Sequence, residues 1–86
     1  MPRVLQLAEP LRQRLIAEAE AHPDTEVCGL LGGPDGRPRT VLPVPNRLAR
    51  GDAFDMDPRG LIDAMRHLRE TDQELVAIYH SHPFSP

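Results

Sequence analysis

Leu75-Val76-Ala77-Ile78-Tyr79 is the most apolar run in the chain, and it constrains the fold more than any other segment. A strand without polar alternation is normally covered on both faces, which places it in the middle of a sheet with layers on either side. Only His80 to Pro86 follow it. Its neighbours must therefore come from earlier segments or from another molecule, or its edge lies open to aggregation.

The earlier segments supply candidates. Val4 to Leu7 reads as a short strand with Leu5 and Leu7 on one face. Pro10 suits the first turn of a helix in which Leu11, Leu15 and Ala19 recur, and Pro23 should stop that helix at His22. Val27 to Leu31 is an apolar run of strand length closed by Gly32-Gly33-Pro34-Asp35-Gly36, strong turn chemistry, so Thr40 to Val44 is its expected hairpin partner. Pro43 to Gly51 should be irregular, and Ala53 to Met56 is an expected edge strand. Asp57 can cap a helix opened by Pro58, with Leu61, Met65 and Leu68 on one face and an end near Thr71.

At 86 residues the chain is one domain, 1–86, and small enough that any missing element would be felt in its stability. The apolar runs are too short to cross a bilayer, and Arg3 is not followed by the apolar stretch of a secretory signal. A net charge of -3 with 3% aromatic residues argues against a nucleic-acid surface, which needs a basic field and usually stacking rings. Every basic residue is Arg, a pattern that codon bias explains. Cys28 is the only cysteine, which excludes an internal disulfide and a four-cysteine zinc site and fits a cytoplasmic setting.

His80 and His82 stand two apart at the end of the apolar run, so strand alternation aims both imidazoles to one face. One cation could bridge them; a solvated pair at a strand end is the ordinary alternative. Two nitrogen ligands are also fewer than the three protein ligands of a typical catalytic zinc site. Upstream, Glu26 precedes the apolar Val27-Cys28-Gly29-Leu30-Leu31, where a lone Glu is usually a surface residue.

Taken together and in order, Glu26 with its Gly-rich strand, Asn46, Asp55-Met56-Asp57-Pro58 and Ala77-Ile78-Tyr79-His80-Ser81-His82-Pro83 closely resemble the JAMM (MPN-plus) zinc metallopeptidase family, in its small prokaryotic form. The resemblance spans nearly the whole chain. It implies an α/β fold of the cytidine-deaminase-like JAMM/MPN type, a mixed sheet with flanking helices, incomplete at the C-terminus. It implies Zn2+ held by His80 and His82, with Glu26 as the general base that takes a proton from water and returns one to the leaving amine. The implied substrate is a ubiquitin-like or sulfur-carrier protein, cleaved after its C-terminal Gly. In the family a Ser and then an Asp follow the second histidine, as oxyanion donor and third ligand, whereas here only Pro83 to Pro86 remain and Ser85 is not at the matching position. The 86 residues are thus expected to be the N-terminal and central portion of a longer protein, inactive in isolation. A natural truncation that pairs its exposed strand with a second copy is the alternative. A non-catalytic MPN-type scaffold is the rival function, against which Glu26, His80 and His82 together argue.

The remaining candidates have ordinary readings. Cys28 is expected to be a buried small hydrophobe, not a nucleophile paired with His80. His22 and His67 should be surface residues, Asp55 and Asp57 helix-start residues, and Tyr79 a core residue. The segment from Asn46 to Phe54 is expected to line the groove for an extended substrate tail.

Overall fold

The computed structural model describes residues 7–48 and 55–81. Helix α1 spans Glu9–Ala21, with Pro10 in its first turn and His22 just past its end. Strand β1, Cys28–Gly33, is followed by a single 3-10 turn, Pro34–Gly36, in which Asp35 and Gly36 both take positive φ to reverse the chain. Strand β2 is Thr40–Val44, helix α2 is Pro58–Glu70, and strand β3 is Glu74–His80. The Asp57 carboxylate caps α2 by accepting from the Gly60 N–H at 2.8 Å, an interaction typically worth about 1 kcal/mol. Thr71 closes its other end.

The α/β expectation holds, but the order of the sheet is β2-β1-β3, and both pairings are antiparallel. A parallel member of the expected mixed sheet is not among the described residues. The central strand is β1, not β3. All six β1 residues are buried, whereas Leu75 and Ile78 of β3 stand 42% and 56% exposed. The reason is steric. Glycine lets neighbours come down onto β1: a Cβ at Gly29 would collide with the Leu42 carbonyl and the Tyr79 ring, and one at Gly32 with Leu68 of α2. Close approach from several directions decided the centre, which apolar composition alone does not encode.

Consecutive β1 residues serve opposite layers. Leu30 packs with Val44, Ala64 and Leu68 on the α2 side, while Leu31 packs with Leu11 and Val41 on the α1 side, where Leu7, Leu15, Ala77 and Tyr79 complete the layer. On α2 the buried stripe runs through Ala64 and Leu68 with Leu61 beside it; Met65, expected on that face, is 40% exposed. The β1–β3 register shifts between Leu31 and Gly32, a bulge that skips Val76. The strand expected at Ala53 to Met56 reduces to a single bridge, Asn46 to Met56, with Ala53 and Phe54 outside the described residues. Of the strand expected at Val4 to Leu7, only Leu7 lies within them. Among the described residues no helix is long and apolar enough to cross a membrane.

Tyr79 is half-buried, and its hydroxyl donates to Glu18 Oε1 of α1 at 2.6 Å, tying β3 to the helix beneath it. Burial first, and then Glu18, push its pKa well above the ordinary tyrosine value. The folded chain therefore keeps a proton that the unfolded chain releases near pH 10. This contribution to stability is complete below about pH 10 and is lost as the pH rises further. Urea denaturation at rising alkaline pH should show a steeper loss of stability for the wild type than for Tyr79→Phe. In the same assay Leu30→Ala, at a side chain with no exposure, should cost about 2–5 kcal/mol, while Ile62→Ala, 54% exposed, should stay within about 0.5 kcal/mol.

Candidate functional site

The β1–β3 register places Cys28 opposite His80, which brings the residues just before β1 beside the end of β3. Glu26 lies there, only 4% exposed. A buried carboxylate is costly unless a partner compensates it. Its partner is His80, whose Nδ1 is 3.0 Å from Glu26 Oε1, with 34% of the imidazole side chain open to solvent. The two residues are 54 positions apart, and only the antiparallel register joins them. With Nδ1–H donating to the carboxylate, the lone pair of the ring belongs to Nε2, the arrangement by which a carboxylate orients a metal-binding histidine.

Glu26 and His80 thus supply one carboxylate and one imidazole, donor types that zinc takes. Among the described residues no group of three or more His, Cys, Asp or Glu side chains could hold a metal ion. His82, the other expected ligand, lies outside the described residues.

Beside Glu26 a cleft of about 440 Å³ opens between the end of α1, at Glu18 and His22, and the exit of β2, at Pro43, Pro45 and Asn46. Leu48 also borders it, so the described part of the segment expected to hold a substrate tail does adjoin Glu26. Residues 49–54 lie outside the described residues. His22 is exposed at the rim, and His67 is exposed on α2, away from this cleft. Asp55 pairs with the Arg47 guanidinium, and Asp57 serves as the cap of α2.

Two residues of the motif, Ser81, which has no expected role, and Asn46, expected only to border the groove, meet at the Glu26–Val27 peptide. Ser81 exchanges two hydrogen bonds with Val27: the Val27 N–H donates to Ser81 Oγ at 2.9 Å, and the Ser81 N–H donates to the Val27 carbonyl at 2.9 Å. Asn46 Nδ2 donates to the Glu26 carbonyl at 2.9 Å. Their position within the motif was the only signal in the sequence.

Cys28 is fully buried, and its Sγ lies 3.4 Å from the Val44 carbonyl. Burial, reinforced by the negative charges of Glu18, Glu26 and Asp55, pushes the thiol pKa up, the reverse of what a nucleophilic cysteine requires. The expected buried hydrophobe is what the fold contains.

Residues 8–86 match the family model Prok-JAB, prokaryotic homologs of the JAB domain. Over 73 residues the chain is 34% identical to a desampylase of Pyrococcus furiosus, covering 85% of this chain and 52% of the relative. It is 34% identical over 82 residues to the CysO-cysteine peptidase of Mycobacterium tuberculosis, covering 92% and 56%. A solution structure of a protein from Desulfitobacterium hafniense superposes with a TM-score of 0.83 at 33% identity, covering 96% of this chain and 60% of that one. The chain therefore spans little more than half the length of these relatives.

The site geometry makes the thiol a negative control. Iodoacetamide at pH 8 should leave Cys28 unmodified in the folded protein and alkylate it in urea; rapid labelling of the folded chain would restore the thiol reading.

Proposed function

The chain belongs to the Prok-JAB family, the prokaryotic homologs of the JAB domain, and from that premise we propose that it forms the base-bearing part of a zinc-dependent isopeptidase. The substrate in this reading is a ubiquitin-like or sulfur-carrier protein, cut after its C-terminal Gly. The curated relatives named desampylase and CysO-cysteine peptidase support that class. The observation that carries the proposal is the buried Glu26 carboxylate held 3.0 Å from the His80 imidazole.

In this reading His80 and His82 hold the metal. Bound zinc supplies Lewis acidity, acidifying water and polarising the scissile carbonyl. Glu26 takes one proton from the attacking water and delivers one to the leaving amine as the C–O bond forms and the C–N bond breaks. An ionised carboxylate has several acceptor sites, so Glu26 can accept from the His80 Nδ1–H in the resting site and, on turning toward the cleft it borders, from the attacking water. The cleft beside it, bounded by Pro43 and Pro45, suits an extended, slender tail.

The full-length protein loaded with zinc should release a conjugate joined to the C-terminal Gly of such a carrier, and a chelator should stop it. Glu26→Gln should lower kcat by about 10²–10⁴, the usual range for losing a general base. Cleavage by Glu26→Gln at the wild-type rate would remove Glu26 from the role. Stoichiometric zinc in the purified protein, measured by atomic absorption, separates this reading from that of a metal-free scaffold.

A further inference from the structure

The Glu26 carbonyl and the Val27 N–H are the two ends of one peptide group, immediately ahead of Cys28, the first residue of β1. Each end is held by a side chain from a distant segment. Asn46 Nδ2 donates to the carbonyl at 2.9 Å, and the N–H donates to Ser81 Oγ at 2.9 Å. Both residues of the peptide are buried, so its polar ends need such partners.

The holders are themselves fixed. Ser81 returns its backbone N–H to the Val27 carbonyl at 2.9 Å and is covalently next to His80. Asn46 Oδ1 accepts from the Leu48 N–H at 3.0 Å and the Asp55 N–H at 2.9 Å, tying the exit of β2 to the approach of α2. The planar peptide unit includes the Cα of Glu26, so displacement of this unit would shift that Cα and carry the carboxylate away from His80. Sidewise support comes from the β3 end through Ser81 and from the β2 end through Asn46.

We propose that Ser81 and Asn46 are positioning residues that clamp the Glu26–Val27 peptide and thereby set the Glu26 carboxylate against the His80 ring. The catalytic consequence rests on the reading of Glu26 as the base; the geometric consequence does not. Neither residue need touch substrate.

The test uses the full-length protein and the pair Ser81→Thr and Ser81→Val, which differ only by a hydroxyl for a methyl, together with Asn46→Asp, which keeps the acceptor and loses the donor. The first readout is the long-range 1H–15N spectrum of the His80 imidazole in the metal-free protein, which reports the Nδ1–H tautomer. The second is steady-state cleavage by the zinc-loaded protein. Ser81→Val and Asn46→Asp should both lose the Nδ1–H signature and lower kcat by about 10–100-fold, the usual effect of removing a supporting hydrogen bond, with KM little changed. Ser81→Thr should retain both.

An unchanged ring spectrum in Ser81→Val and Asn46→Asp overturns the clamp, and so does a kcat loss that Ser81→Thr shares. If the wild type cleaves no tailed substrate, the functional reading falls alone, and the ring spectra still decide the positioning.

Discussion

Burying the Glu26 carboxylate is the constraint around which the rest of this small fold is arranged. A charge that is 4% exposed is tolerated only with a fixed partner, and that partner, His80, sits at the far end of the chain. The β1–β3 pairing must therefore hold its register, since a slip of one residue would turn His80 to the other face of the sheet. The core supports that register directly: Leu30 and Leu31 of the same strand anchor opposite layers, so β1 cannot slide without exposing one of them.

Glycine makes this possible in so short a chain. With no side chain at Gly29 or Gly32, Tyr79 and Leu68 approach the central strand closely enough to enclose it. The same compactness keeps Cys28 buried and its thiol protonated, which removes a competing nucleophile from beside His80. Polar groups that the sheet ladder does not reach, such as the Glu26–Val27 peptide, are then served by Asn46 and Ser81. Apolar packing sets where the strands lie, and a few polar contacts set where the carboxylate points.

The local elements were legible because their boundaries are covalent or capping effects. Pro10 and Pro58 open helices, Pro23 lies just beyond the end of one, Asp57 caps the other, and the Gly-Pro-Asp-Gly segment makes the hairpin turn. His80 was legible through its spacing from His82 at a strand end, and Glu26 only through the resemblance to a metallopeptidase family; the fold brings Glu26 and His80 together. What composition hid was relative position. The run ending at Tyr79 is more apolar than β1, yet β1 became central because glycine admits neighbours from both layers. Met65 fits a helical stripe by spacing but stands 40% exposed, while Ala64, a smaller residue, sits in the contact. The clamp on the Glu26 peptide joins residues 20 and 54 positions apart through backbone groups, which leave no trace in residue type.

The pairing of Glu26 with His80 makes sense as preparation of an imidazole for a metal, and crystals of the full-length protein grown with zinc address that most directly. Anomalous diffraction across the zinc absorption edge should give a single strong peak about 2.0–2.1 Å from Nε2 of His80, across the ring from the Nδ1 that faces Glu26. A map with no peak at His80, or with zinc bound only elsewhere on the molecule, would contradict a metal site built on this pair.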